Sequence, residues 1–159
     1  MPGTSNFKKV ARTIKIFAVA QIGLVAMLVY MAILFQGKFQ SIGRAEGFMY
    51  AVIVSFVIQM LFFYPTYKFS GKEAERDLSL TSTNLGTDEI KVLTKKKRYS
   101  DIIKFSVFCF FTMFILQAPS VPLILSILYF SFILTVLSYL QCYNFAAKKL
   151  MKQGSAPRD

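Results

Sequence analysis

Few side chains in this sequence have the type and spacing to do chemistry. The most concentrated group is a run of four cations, Lys95, Lys96, Lys97 and Arg98, followed by Tyr99 and Asp101. At a membrane surface such a run attracts anionic lipid headgroups by about 1 kcal/mol per residue, and it also orients the chain. Cys109 and Cys142 are the only two cysteines. Without a CxxC pair or further ligands they do not make a zinc site, and beside a reducing cytosol they read as free thiols. The sequence contains no His, which removes imidazole acid–base catalysis, His-ligated haem and imidazole metal sites. A phosphate-binding loop, a dinucleotide fingerprint and clustered metal-binding acids are missing as well. The reading is a non-enzymatic protein with no catalytic residues, no cofactor and no metal.

The elements that carry these residues follow from composition. Apolar residues make up 55% of the 159 residues, aromatic residues 16%, and mean hydropathy is +0.50. That exceeds what a water-soluble core of this size absorbs, so the surplus must face lipid. The net charge of +11 does not indicate nucleic acid, because the cations flank apolar runs instead of covering a recognition helix or a stacking platform. Lipid is the expected neighbour, together with a membrane-protein partner or further copies of the chain.

The apolar runs predict an all-α membrane protein, a four-helix bundle of two hairpins. Residues 1–15 form a basic N-terminus, 16–67 the first hairpin, 68–101 a polar loop, 102–145 the second hairpin and 146–159 a basic tail. All but two of the 19 Lys and Arg lie in or beside the N-terminus, the loop and the tail; Lys38 and Arg44 are the exceptions. By the positive-inside rule both termini and the loop are cytoplasmic. The expected membrane is a bacterial inner membrane, although that rule orients a chain without choosing its organelle. The N-terminal apolar run, Ile16 to Phe35, is too long for a signal-peptide core and lacks a cleavage site, so it reads as a retained span.

Within the first hairpin, Gly43, Gly47, Ala51, Ser55 and Gln59 recur every four residues, the clearest helix-packing stripe in the chain. Ala20, Gly23 and Ala26 form a second small-residue line in helix 1, whose one strongly polar residue is Gln21. Tyr64, Pro65 and Tyr67 are expected to close helix 2 at the interface, since proline ends helices and tyrosine prefers the headgroup level. In the loop, Gly71 to Leu80 suits a short surface helix, Ser79 to Thr87 reads as flexible, and Asp88 to Leu93 suits a further helical turn. Helix 3 is drawn from Ile102 to Gln117 and helix 4 from Leu123 to Phe145, with Pro119 and Pro122 forbidding a continuous helix. Ser106, Cys109 and Thr112 or Met113 on helix 3 and Ser131, Thr135, Ser138 and Cys142 on helix 4 are expected to face one another as the polar seam of the second hairpin. No acid lies inside these spans, which argues against a proton relay.

The function expected from these features is an accessory or assembly subunit of a larger membrane complex. A small oligomeric transporter or channel, with Gln21, Gln59 and the hydroxyls along a neutral path, is the alternative. The four-span layout, the basic start, Gln21 and the tight hairpin around Pro122, Leu123 and Ile124 resemble the accessory subunit I of bacterial ATP synthases. That resemblance implies an assembly factor acting in rotor-ring assembly or cation supply.

Overall fold

The computed structural model describes residues 4–80 and 86–154, with side chains over 9–80 and 86–153. It is all-helical: α1 spans Thr4–Ser41, α2 Ala45–Ser79, α3 Thr87–Gln117 and α4 Pro122–Gly154. Each helix is long and apolar enough to cross a membrane, and together they make a multi-pass integral membrane protein. Large apolar side chains such as Ile22, Ile33, Met60, Leu61, Phe105 and Leu116 are exposed, as a lipid-facing surface requires.

All four helices outrun the apolar segments that nucleate them. The α2 helix continues through Pro65 for a further 14 residues to Ser79, so the proline is internal where the sequence suggests a stop. Proline removes only one backbone donor and clashes chiefly with the preceding turn. The stretch after it, KEAERDLS, has strong helix formers that carry the helix on. At the start of α3 the Glu89 carboxylate accepts the Gly86 N–H at 3.2 Å, and Asp88 and Glu89 suit the positive helix end. The polar interval is therefore helical over most of its length, in α2 up to Ser79 and in α3 from Thr87. The flexible reading of that stretch falls mostly on 81–85, outside the described residues, as do 1–3 of the N-terminus and 155–159 of the tail.

The α1–α2 turn is closed by Gly43 at φ 69°, with its N–H on the Gln40 carbonyl at 3.0 Å and the Arg44 N–H on the Phe39 carbonyl at 2.9 Å. This is a glycine-terminated helix end, and an L side chain at Gly43 would be strained. The second connection ends α3 at Gln117, passes an extended Ala118, and restarts at Pro122, whose missing N–H costs nothing in a first helical turn.

Packing departs from two symmetric hairpins. The α4 helix lies parallel to α2, with Phe48 near Phe130, Gln59 near Ser138 and Ala74 near Ala147. It lies antiparallel to α1, with Phe35 on Phe130 and Phe17 on Tyr143. The α3 helix sits outside this three-helix unit, touching α4 through Phe108 and Phe111 on Phe132 and burying only Ser100 fully. The expected α3–α4 polar seam does not form. Thr112 satisfies its hydroxyl on the Phe108 carbonyl of its own helix at 2.9 Å and so does not reach for α4. The hydroxyls of α4 turn to α2 instead.

Candidate functional site

Two spacings of four residues meet at the end of the molecule that holds the α1 N-terminus, the α2–α3 turn and the α4 C-terminus. On α2, continued beyond Pro65, Glu73 and Asp77 are one helical turn apart and lie on the face toward α4. On α4, Tyr139 and Tyr143 repeat the same interval. The Tyr139 hydroxyl donates to Glu73 Oε2 at 2.7 Å, and the Tyr143 hydroxyl donates to Asp77 Oδ2 at 2.7 Å. A parallel pair of helices with matching periods makes two equivalent rungs.

The third helix completes them. Lys97 and Lys104 on α3 lie two turns apart. Lys97 Nζ donates to Asp77 Oδ1 at 3.1 Å, and Lys104 Nζ donates to Glu73 Oε1 at 2.6 Å and to Asp101 Oδ1 at 2.7 Å. Each carboxylate thus receives one tyrosine and one lysine, on different oxygens. Arg76, between the two acids in sequence, reaches α3 from another direction: Nη1 donates to the Lys96 carbonyl and Nη2 to the Ser100 hydroxyl at 3.2 Å.

Burial differs between the rungs. Glu73 is 4% exposed, whereas in the outer rung the Lys97 side chain is 48% exposed. The inner pair consequently works in a lower dielectric, where leaving one charge without the other is costly. Behind the rungs, Phe17 of α1 packs on both tyrosine rings, at 5.0 Å from Tyr143 and 6.3 Å from Tyr139. Val10, Ile14, Ala74, Tyr143 and Ala147 form the apolar floor. Every oxygen of Glu73 and Asp77 has a donor. The cluster's chemical capacity is to clasp three helices and to hold charge at the edge of the apolar layer. Among the described residues no three His, Cys, Asp or Glu side chains come together as a metal centre needs.

The residues singled out by sequence are placed as follows. Gly47, Ala51, Ser55 and Gln59 lie along the inner side of α2. A methyl on Gly47 would come within 2.8 Å of the Phe39 ring, and Ala51, Ser55 and Gln59 are buried. Gln59 Nε2 donates to the Ser138 hydroxyl at 2.6 Å, and Thr135 donates to Gln59 Oε1 at 3.2 Å as well as to the Ser131 carbonyl at 2.7 Å. Ser131 is buried, with no partner for its hydroxyl among the described residues. Gly23 is not brought to any of these: it is exposed on α1 with nothing within 4 Å of where a Cβ would stand, and Ala20 and Ala26 are exposed beside it. Lys95, Lys96, Lys97 and Arg98 lie on helix α3, not on a loop, and among the described residues only Lys97 of the four has a carboxylate partner. Cys142 is buried next to Ser70 on α2, and Cys109 is half-buried on α3; both are free thiols.

With helix 2 stopping at Pro65, the sequence puts Glu73 and Asp77 on a separate short surface helix of the loop, away from the helix faces they join. Three matched spacings were the available signal: Glu73 to Asp77 and Tyr139 to Tyr143 at one turn, Lys97 to Lys104 at two. No protein-family model matches the chain, and neither a known protein nor a solved structure matches it significantly.

Proposed function

We propose that the protein is a non-enzymatic accessory or assembly subunit of a larger complex in a bacterial inner membrane, with both termini cytoplasmic. The observation that carries this reading is the unpartnered small-residue line on α1. Val10, Ile14, Phe17, Phe35 and Phe39 turn one side of α1 into the molecule, while Ala20, Gly23 and Ala26 are exposed at mid-span. Small residues let helix backbones approach closely and are the usual contact surface between helices in lipid. The line fits a helix of another subunit. The absence of histidine in the sequence and the hydrogen bonds and ion pairs that engage Glu73 and Asp77 fit a structural role. The uneven distribution of Lys and Arg supports the orientation, and it puts the free cations of α3 at the cytoplasmic headgroup level. An assembly role of the kind implied by resemblance to ATP synthase subunit I falls within this reading.

Mild-detergent extraction of the tagged chain at native abundance, followed by mass spectrometry and native mass determination, tests it. A stoichiometric partner that is lost in Gly23→Leu, with the monomer still folded, is the expected result. A lone monomer sinks the proposal. A homo-oligomer without partners transfers the weight to a channel or transporter, with Gln59 as the first residue to mutate.

A further inference from the structure

Between the C-terminal half of α2 and the N-terminal half of α3 lies an open cleft of about 550 Å³. Its lining divides by chemistry. Phe69, Leu93, Tyr99 and Ile103 supply apolar wall, while Lys72, Arg76 and Lys96 supply cations against a single carboxylate, Glu75. We propose that this cleft is a binding site for one anionic phospholipid, its phosphate held by Lys72 and Lys96 and its glycerol and upper acyl carbons against Phe69 and Ile103.

Three observations carry the assignment. The cations are available: neither Lys72 nor Lys96 has an ion-pair partner among the described residues, unlike Lys97 and Lys104. The frame is preorganised, because Arg76 joins α2 to the Lys96 carbonyl and the Ser100 hydroxyl of α3, which ties together the two helices that line the cleft. The depth suits an amphiphile. Phe69 and Ile103 lie within two residues of the apolar segments of α2 and α3, so the cleft opens where acyl chains meet headgroups. Three cations against one acid favour a headgroup with net negative charge over a zwitterion, whose ammonium would meet the cations. The volume is within the range of small-molecule sites, roughly 300–1,000 Å³. This site is distinct from diffuse attraction to the Lys95 to Arg98 run, because Lys72 and Arg76 come from another helix. It does not depend on the accessory-subunit reading.

The test is native mass spectrometry of the purified full chain in mild detergent with added phosphatidylglycerol, phosphatidylcholine or inorganic phosphate. A single phosphatidylglycerol adduct in preference to phosphatidylcholine is expected. Lys72→Gln with Lys96→Gln is expected to weaken it about 30-fold, roughly 5-fold per cation at a membrane surface. Lys95→Gln with Arg98→Gln removes the same charge from outside the cleft and is expected to change it less than about 2-fold. Equal loss in both double variants would reduce the effect to surface electrostatics and overturn the proposal. So would no preference between the two lipids, or displacement by millimolar inorganic phosphate, which would mark a bare anion site. All four substituted side chains are exposed and none belongs to the Glu73 and Asp77 rungs, so thermal unfolding is expected to match the parent chain.

Discussion

The two ends of the molecule hold their helices by different means. At the end away from the termini, rings close the packing: Phe35, Phe39, Phe48 and Phe130 meet edge to face with centroids 5.9–6.4 Å apart, joining α1, α2 and α4. At the end that holds the termini, carboxylates, tyrosines and lysines join α2, α3 and α4. In lipid, ring packing has little hydrophobic drive behind it, since acyl chains are as apolar as the rings. Dispersion then rewards only helices that fit closely, and α3 is left out. An ion pair reaches further and fixes direction, so it can retain a helix that fits poorly. The contrast predicts that α3 is fastened at one end and loosely held at the other.

Four experiments would break or sharpen that contrast. The largest effect is expected for Glu73→Leu, which leaves Lys104 facing Asp101 alone and Tyr139 without an acceptor. A loss at the low end of the about 3–5 kcal/mol for breaking a buried pair is expected in detergent unfolding, because Lys104 is 36% exposed and keeps Asp101. Phe130→Ala, at the ring-packed end, should cost about 3 kcal/mol, the low end for a buried phenylalanine because lipid replaces some of the lost contacts. It should leave α3 attached. Hydrogen exchange separates the two variants: protection should fall over 87–104 in Glu73→Leu, and over 30–40 and 48–56 in Phe130→Ala.

Midway between the ends, Gln59→Leu removes the hydrogen bonds to Ser138 and Thr135. It should cost on the order of 1 kcal/mol, close to what interhelical hydrogen bonds contribute in membranes. The smallest effect belongs to the outer rung. Lys97→Gln should cost less than about 1 kcal/mol, and salt should shrink the difference because that lysine is half exposed. A loss in Lys97→Gln as large as that in Glu73→Leu would show that the rungs act as one unit instead of two.

Much of this architecture was legible in the residues. Four apolar runs separated by Gly43 and by Pro119 and Pro122 announce four helices, and the four-residue stripe through Gly47, Ala51, Ser55 and Gln59 marks the inner side of α2. The stop expected at Pro65 was not legible correctly. A proline's effect depends on whether the chain beyond it has a helix to continue and a surface to pack on, here Ala74 against Val10, Ile14, Tyr143 and Ala147. The seam expected between α3 and α4 failed for a related reason: periodicity shows which residues share a face, and not which helix that face meets.

The number of helices, their apolar faces and the lopsided distribution of cations come from the sequence by itself, because each depends on neighbours one or two turns away. The partners do not. Only the tertiary structure decided that α4 lies parallel to α2, that Glu73 and Asp77 meet Tyr139 and Tyr143, and that Lys72 and Lys96 line one cleft from different helices while Lys97 pairs with an acid. Those pairings join residues 20 to 66 positions apart. They follow from how three helices share space, which no local pattern encodes.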